Sequence, residues 1–578
     1  MVPETAGVVA ERREVQCVLR DGTRLRTTLL LPPGSGPWPA LLTRHPYDVG
    51  SDEQDGRVDL DRFVAAGYLV ALQDVRGRYG SEGTFDPSAQ EVEDGADAVA
   101  WLAGLAECTG SVGMWGASYA SETQFSALLG GSPALRSIVP AVTPVASGLR
   151  GFRFRGGVPE VGSMLAWSHY AIAPDRIAQI AAPDERAAEQ ARWGEVDRRF
   201  RSGELFRAGA LHDDLDADET VAWMRDRLRE PLDSPAHSVG KVTDIAAVDI
   251  PVFLVGGWFD VFLGSTLEMY RGLRESRAGT PEPHLLVGPW SHNNMTGRIG
   301  DLSFPGADTA ADLGGHGDLT EQHLRWFDAT LRGAATLDGV APVRVYLMGA
   351  DRWLALPEFP PAAATEVALH LTADGALRSA PGEDGAVPFV SDPANPVPTR
   401  GGATLLFPPF DPGPIDQAEL ETRADVVSWR TPPLTDELAV VGEVRAALWL
   451  ATTGTDADIV VRLCDEHPDG RSILVADGIQ RASARGVDEG TGAGTVAAVE
   501  PGRTEEYTVA LWATAHAFQP GHRIRVDVTS SSSPRWEVGP NAFRGAGDPV
   551  VPAPAEHTIR VGDAFPSRLV LSVLPAQP

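Results

Sequence analysis

Cysteine is scarce in this chain. Three cysteines, Cys17, Cys108 and Cys464, occur among 578 residues and are far apart in the sequence. Their number and spacing build no disulfide framework, and neither a CxxC pair nor a Cys/His metal spacing is present. We therefore expect all three to be buried as small apolar side chains. We expect no metal and no organic cofactor.

Long hydrophobic runs are also missing. No uninterrupted apolar stretch reaches the ~18 residues that a membrane-spanning helix needs. The N-terminal segment MVPETAGVVAERREVQ lacks an apolar run of the length found in secretory signal peptides. The sequence predicts a cytoplasmic protein that does not bind membranes, and it leaves open whether a leader was removed.

Basic residues are outnumbered by acidic ones. The chain has 49 Lys and Arg against 79 Asp and Glu, which gives a net charge of −30. Because nucleic-acid binding needs a basic surface to neutralise phosphates, no nucleic-acid partner is expected. The hydrophobic content of 43% and charged content of 22% are ordinary for a globular protein. At roughly 100–200 residues per domain, the length predicts about three domains.

Strand and helix patterns alternate in two separate parts of the chain. Val92, Ala96, Val99 and Ala103 recur with helical spacing between short apolar runs of the kind found in buried strands. This alternation predicts a doubly wound α/β sheet. The apolar runs that we interpret as strands are 40–43, 68–73, 112–115, 137–140, 251–255 and 284–287.

The remaining segments differ in character. Residues 146–244 are rich in Ala, Arg, Asp and Glu with a helical pattern and no strand pattern, which predicts a helical lid inserted into the α/β domain. From residue 355 to 578, short β-type runs separated by Pro and Gly predict a jelly roll or sandwich. The α/β domain would then consist of residues 1–145 and 245–354.

One serine lies among small residues directly after a predicted strand. The segment GMWGASYAS spans residues 113–121, contains Ser118, and continues into a helical pattern. This is the context of a nucleophile elbow, in which a strained turn presents the serine hydroxyl at the edge of the sheet. The motif is imperfect, since Ala120 stands where G-x-S-x-G has its second glycine. A structural serine in a glycine-rich turn is the simpler interpretation.

An acid and a histidine follow this serine in chain order. One predicted strand leads into GGWFD, which ends at Asp260, and a later one leads into GPWSH, which ends at His292. A serine hydroxyl needs a base to become a nucleophile, and the order Ser, acid, His at strand ends is that of α/β-hydrolases. Asp260 as a helix cap and His292 as a structural histidine are the alternatives. Together the three predict Ser118 as nucleophile, His292 as base and Asp260 as its orienting acid.

Two loops after early strands also carry polar side chains. The HPYD loop places Tyr47 where the second oxyanion donor of such enzymes usually lies. Its phenol could donate in place of a backbone N–H, although a packed tyrosine is the simpler interpretation. We interpret the segment QDVRGRYGSEG, residues 73–83, as structural turn chemistry.

Taken together, these motifs resemble the cocaine esterase family of the X-Pro dipeptidyl-peptidase superfamily. The resemblance implies an α/β-hydrolase domain with an inserted helical domain and a C-terminal β jelly-roll domain. It also implies acyl hydrolysis without a cofactor. The stretches that carry it follow the same order along nearly the whole chain: HPYD, QDVRGRYGSEG, GSVGMWGASY, GGWFDVF, GPWSHNN, FDATLRG, VYLMGADRW, GGATLLF and FQPGHRIRV.

The same resemblance assigns residues to roles. Ser118, Asp260 and His292 match the catalytic triad, while the Tyr47 hydroxyl and the Tyr119 backbone N–H match the oxyanion hole. The positions that match the family's acyl pocket are Trp167, Phe262, Leu406 and Phe407. This chain departs from the family at Ser121, where the family has glycine, in the loop from Val49 to Val58, and through most of the helical block.

Three functions stay open at this point. One is hydrolysis of a small-molecule ester, for which an aromatic acyl group such as benzoyl would suit an apolar pocket. A second is cleavage by an amide acylase, an amino-acid ester hydrolase or an X-Pro peptidase; Glu122 or Glu160 could help bind a free amine there. The third is an inactive binding module. Whether the chain forms a homodimer is left open.

Overall fold

A computed structural model describes most of the chain. The described residues are 11–49, 57–145, 153–206, 245–276, 282–333, 339–488, 493–544 and 550–575, with single positions at 232, 234, 242 and 337.

The first 356 residues contain a central sheet and two small hairpins. Their strands are β1 (Glu11–Val18), β2 (Arg24–Leu31), β3 (Trp38–His45), β4 (Leu69–Asp74), β5 (Cys108–Ala117), β6 (Leu135–Ala141), β7 (Phe154–Arg155), β8 (Val158–Pro159), β9 (Phe253–Phe259), β10 (His284–Ser291), β11 (Arg298–Ile299), β12 (Leu302–Ser303), β13 (Val343–Leu347) and β14 (Arg352–Leu356).

Ten of these strands form one sheet in the order β1-β2-β4-β3-β5-β6-β9-β10-β13-β14. The strands from β4 through β13 pair in parallel, and the edges pair antiparallel. All residues of β4 and β9 are buried, as expected for parallel strands covered on both faces. Since parallel strands end at the same edge, the loops after β3, β5, β9 and β10 meet there.

Helices cover this sheet and form the inserted block. They are α1 (Leu60–Ala65), α2 (Glu91–Ala103), α3 (Tyr119–Leu129), α4 (Val161–Trp167), α5 (Ala173–Ala178), α6 (Pro183–Arg201), α7 (Leu263–Ser276) and α8 (Leu319–Phe327). π-Helical turns follow α4 at Ser168–Ile172 and α8 at Asp328–Arg332. Short 3-10 turns lie at Glu204–Phe206, Ile245–Ala247, Ala418–Thr422 and Ala482–Ala484.

The inserted block differs in one respect from its sequence pattern. We predicted helices without strands there, but β7 and β8 form a two-residue antiparallel hairpin ahead of α4. The turn is made by Gly156 and Gly157, both at positive φ. A side chain at Gly156 would collide with the backbone of Ile479 in the C-terminal domain, so the hairpin packs closely on that domain.

The C-terminal domain is built of strands. They are β15 (Thr365–Leu371), β16 (Leu377–Arg378), β17 (Gly385–Ser391), β18 (Val427–Arg430), β19 (Leu438–Thr452), β20 (Asp458–Glu466), β21 (Ser472–Arg481), β22 (Gly486–Val487), β23 (Gly494–Thr495), β24 (Glu505–Phe518), β25 (Arg523–Thr529), β26 (Ala555–Val561) and β27 (Arg568–Val573). A seven-stranded sheet and a four-stranded sheet, ordered β18-β25-β20-β21, enclose its apolar core.

This architecture confirms the predicted fold class, an α/β domain with a large central sheet and a separate C-terminal domain of strands. The domain boundaries stay predictions, and β14 crosses the expected boundary between residues 354 and 355. All three cysteines are free and buried, as predicted. Among the described helices, none is both long and apolar enough to span a membrane. The cytoplasmic location stays a prediction.

Candidate active site

Ser118 lies in a strained turn between β5 and α3. Its backbone has φ 61° and ψ −122°, and its N–H donates to the Ala141 carbonyl at 2.9 Å. A non-glycine residue at positive φ persists only where its surroundings fix it. The preceding Gly116 has φ 135°, and a Cβ there would lie 2.6 Å from the Ala120 Cβ. The turn therefore needs glycine at 116 and accommodates alanine at 120.

A chain of hydrogen bonds runs from this serine to a buried carboxylate. His292 Nε2 lies 3.0 Å from Ser118 Oγ, and His292 Nδ1 lies 2.6 Å from Asp260 Oδ1. Asp260 is fully buried. Its second oxygen, Oδ2, accepts the backbone N–H of Phe262 at 3.1 Å. The structure thus brings together the three residues that the sequence singled out.

The strand register explains why these side chains meet. β9 ends at Phe259, directly before Asp260, and β10 ends at Ser291, directly before His292. These two strands pair in parallel, with Ser291 opposite Phe259. The acid and the histidine therefore leave the sheet side by side.

Arg57 supports the histidine and was not found by sequence reasoning. Its guanidinium donates to the backbone carbonyl of His292. Burial lowers the pKa of Arg57, and the nearby Asp260 charge acts in the opposite direction. Arg57 precedes α1 in an irregular loop, where no periodic pattern marks a residue for a role.

The Tyr47 hydroxyl lies beside the serine. It accepts the indole N–H of Trp167 at 3.0 Å, and the neighbouring Ser118 side chain acts to lower its pKa. Burial raises the pKa of Tyr47 to about 12. The phenol therefore keeps its proton at neutral pH, and the Trp167 N–H occupies one of its lone pairs. The Tyr47 O–H is left to donate toward the serine side.

Tyr119 follows the serine as the first residue of α3. Its backbone N–H lies in the first turn, where a helix has no intrahelical acceptor for it. Its side chain points away: the phenol donates to Glu91 at 2.9 Å and accepts the Ser88 N–H at 3.1 Å. Glu91 also pairs with the buried Arg44 at 3.0 Å. This network fixes α3 behind the turn.

Ser121, the departure from the family glycine, fits the helix. Its hydroxyl donates to the Ser118 carbonyl at 2.7 Å, and its side chain is fully buried. The substitution therefore adds a contact to the turn that holds Ser118.

An apolar cluster lies against the histidine. Val261, Phe262 and Leu405 are buried together, and Trp167 and Phe407 pack against them. Phe262 meets the His292 ring edge-on, with centroids 5.1 Å apart. The structure thus brings together three of the four residues expected in the acyl pocket.

The fourth expected pocket residue, Leu406, is not part of that cluster. A Cβ built at Gly162 would lie 2.8 Å from the Leu406 Cδ2, so this side chain packs against α4. Its neighbour Leu405 takes the place beside Phe262.

The two acidic candidates for binding an amine have different surroundings. Glu160 is buried and accepts hydrogen bonds from Arg535 at 3.3 Å and from the Trp536 indole at 2.9 Å. It therefore joins α4 to the C-terminal domain. Glu122 is also buried, and its charge contributes to raising the pKa of Tyr47 and of Tyr119.

Comparison with known proteins gives consistent matches over the whole chain. The X-Pro dipeptidyl-peptidase (S15 family) model matches residues 21–294, and that of the X-Pro dipeptidyl-peptidase C-terminal non-catalytic domain matches residues 336–570. Cocaine esterase of Rhodococcus sp. (strain MB1 Bresler) is 32% identical over 545 residues, which cover 91% of this chain and 92% of that esterase.

Two solved structures also resemble the chain. An aminopeptidase from a marine sediment Thaumarchaeota archaeon has a TM-score of 0.80 at 25% identity, covering 100% of this chain and 98% of the other. An α-amino acid ester hydrolase has a TM-score of 0.76 at 25% identity, covering 99% and 98%. The chain therefore belongs to the X-Pro dipeptidyl-peptidase (S15) family, in which it is a serine ester hydrolase similar to cocaine esterase.

Proposed function

We propose that this enzyme hydrolyses small-molecule esters of bulky apolar acids, aromatic ones above all, through Ser118, His292 and Asp260. The observation that carries the proposal is the hydrogen-bond chain from Ser118 Oγ through His292 to Asp260, with Phe262 packed against the His292 ring. An acyl group held by that apolar cluster would place its carbonyl carbon beside Ser118 Oγ.

The reaction follows from this arrangement. Ser118 Oγ attacks the ester carbonyl while His292 Nε2 takes its proton, and Asp260 stabilises the imidazolium that forms. The Tyr47 hydroxyl and the Tyr119 N–H donate to the oxyanion of the tetrahedral intermediate. His292 then gives its proton to the leaving alcohol. The alcohol departs, and Ser118 remains acylated. Water, activated by His292, releases the acid and restores Ser118.

Replacing Tyr47 by Phe removes one oxyanion donor without changing the shape of the ring. We expect kcat to fall about 100-fold with little change in KM, because the bond strengthens as the oxyanion forms. Trp167→Phe keeps a ring but removes the N–H that orients the phenol, so a smaller loss of about three- to tenfold is expected. Steady-state kinetics of phenyl benzoate hydrolysis measure both.

The raised pKa of Tyr47 also predicts how the rate depends on pH. Since the pKa of Tyr47 is raised to about 12, the donor stays protonated, and wild-type kcat should not decline between about pH 8 and 10. Equal losses in Trp167→Phe and Tyr47→Phe, or a Tyr47→Phe enzyme with wild-type kcat, would show that the phenol is not an oxyanion donor.

Phe262→Ala should change acyl-group preference. Losing an aromatic contact of about 1–2 kcal/mol lowers kcat/KM for phenyl benzoate roughly 5- to 30-fold. The acetyl group of phenyl acetate is too small to use that contact fully. The measured quantity is therefore the benzoate-to-acetate ratio of kcat/KM, which cancels any general effect on His292.

Leu406→Ala is the matched control for that experiment. It removes a buried apolar side chain that packs against Gly162 and is not part of the cluster beside the histidine. The ratio should stay at its wild-type value in Leu406→Ala and fall in Phe262→Ala. A fall in the Leu406 variant alone would place the acyl group against α4.

The rival activities are tested with the wild-type enzyme. Phenyl benzoate, phenylalanine methyl ester and alanyl-proline p-nitroanilide represent an aromatic ester, an amino-acid ester and an X-Pro amide. We expect phenyl benzoate to be the best substrate, because its acyl ring suits the apolar cluster beside the histidine and Glu160 is already bonded to Arg535 and Trp536. Glu122 is then the acid left to bind a free amine. Preference for either amine-bearing substrate would favour the second activity. Failure of a fluorophosphonate to label Ser118 would favour a binding module.

A further inference from the structure

Three ligand-type side chains converge at one end of the C-terminal domain. β20 and β25 pair antiparallel, with Asp465 opposite Ile524 and Glu466 opposite Arg523. His467 directly follows β20 and His522 directly precedes β25, and their rings lie 4.3 Å apart. Asp465, near the turn end of β20, lies two residues before His467, and their side chains are in contact. The pairing of β20 with β25 therefore brings an aspartate and two histidines together, where the β20–β21 turn meets the β24–β25 turn.

The distances between their polar atoms are short. His522 Nδ1 lies 2.8 Å from Asp465 Oδ1, and His467 Nε2 lies 3.7 Å from Asp465 Oδ2. One ligand atom from each of the three residues lies within 4.8 Å of the others. Tetrahedral Zn²⁺ with bonds of ~2.0–2.1 Å holds its ligand atoms roughly 3.3 Å apart. Small rotations of the two partly exposed histidines would reach that geometry.

The aspartate is held by a further histidine. His516 on β24 is buried, and its Nε2 lies 3.1 Å from Asp465 Oδ2. Such outer hydrogen bonds orient metal-binding carboxylates. The neighbouring Ala515 and Ala517 bond to the backbone of Met348 after β13, so this end of the domain also contacts the α/β domain.

We propose that Asp465, His467 and His522 bind one divalent cation of the zinc type, with solvent completing its coordination. Two imidazoles and one carboxylate suit Zn²⁺ and its neighbours in the first transition row. The cation would join the β20–β21 turn to the β24–β25 turn, where it stabilises the fold without entering the ester reaction. The sequence has no Cys/His metal spacing and so predicted no metal, whereas these three residues are brought together by the pairing of β20 with β25.

One nearby cation opposes binding. Arg471 Nη2 lies 3.4 Å from His467 Nδ1, while its Nε donates to Asp469 at 2.9 Å. A metal on Nε2 leaves the His467 proton on Nδ1, so the guanidinium must turn away. Arg471→Ala is therefore expected to tighten metal binding by roughly two- to fivefold, through loss of this repulsion.

The test uses the untagged full-length enzyme, stripped with chelator, and Zn²⁺ alone. Calorimetry should show one Zn²⁺ per wild-type chain, and excess Zn²⁺ should raise Tm by about 2 °C. His467→Gln removes one ligand but leaves the bonds of Asp465 to His522 and His516, so it should fold and bind at least about 100-fold more weakly. His316→Gln, in a loop before α8, is the matched control and should bind as wild type.

Cobalt gives a second readout. Co²⁺ bound by the wild type should show visible absorption bands of a low-coordinate site, and these bands should vanish in His467→Gln. Ester hydrolysis should be equal in wild type and His467→Gln, with or without Zn²⁺. The proposal is overturned if wild type takes up no Zn²⁺, or if His467→Gln binds it as tightly as wild type. The cluster would then be a hydrogen-bonded brace alone.

Discussion

Ser118→Ala should lower kcat for phenyl benzoate by at least about 10⁴-fold, since no acyl-enzyme can form without the Oγ that faces His292 Nε2. The oxyanion donors and the apolar cluster remain, so residual hydrolysis above the rate in water is expected. Substrate binding should change little. Steady-state kinetics measure the loss, and the fluorophosphonate label on the wild-type serine should disappear.

A serine in the same helix provides the matched control. Ser121→Ala removes a buried hydroxyl that bonds to the Ser118 carbonyl, yet leaves the nucleophile in place. It should retain label and lose less than about tenfold in kcat, by weakening one neutral hydrogen bond. An active Ser118→Ala enzyme would exclude Ser118 as the nucleophile. A Ser121→Ala loss of the same size as that of Ser118→Ala would show that disruption of the turn is enough to cause it.

Backbone strain supplies an independent check at the same position. With φ at 61°, Ser118 occupies a region that glycine adopts without cost. Ser118→Gly should therefore be as inactive as Ser118→Ala but more stable than wild type by about 1 kcal/mol. Denaturant unfolding of the three proteins measures this. Such a result would indicate that the turn stores strain in order to present the hydroxyl.

Features that follow from local pattern could be predicted from the sequence. The apolar runs before Ser118, Asp260 and His292 mark buried strands, and parallel strands deliver the residues after them to one edge. Neither the fold class nor the convergence of these three side chains required knowledge of side-chain packing. Tyr47, in the loop after β3, was predicted at the same edge of the sheet by the same rule, and the family resemblance supported its role.

Features that depend on packing in irregular segments could not be predicted from the sequence. The stretch around Leu405 and Leu406 belongs to no strand, so alternation does not say which leucine faces Phe262. Arg57 lies in a loop, and its partner is a backbone carbonyl 235 residues away. Nothing in the sequence around Glu160 indicates that Arg535 and Trp536 bond to it. Pairings of this kind are set by tertiary contacts.

Asp260→Asn should reduce kcat by about 10⁴-fold while leaving the fold intact. The surrounding donors decide how the new amide lies. The Phe262 N–H donates to one carboxylate oxygen, so the amide oxygen must take that place and its NH₂ must face His292. His292 Nδ1 then becomes an acceptor and the ring proton moves to Nε2. That nitrogen can no longer take the proton from Ser118.

A second aspartate distinguishes a tautomer effect from a loss of structure. Asp318→Asn, at the N-cap of α8, replaces an aspartate that accepts the Glu321 N–H and pairs with Arg62, and it should keep wild-type kcat. Fluorophosphonate labelling of Asp260→Asn should be slowed as much as kcat, because both need the proton of Ser118 to be removed. An Asp260→Asn enzyme with normal labelling but slow turnover would instead assign the aspartate to the deacylation step. Wild-type rates in both assays would mean that Asp260 merely caps the turn before α7.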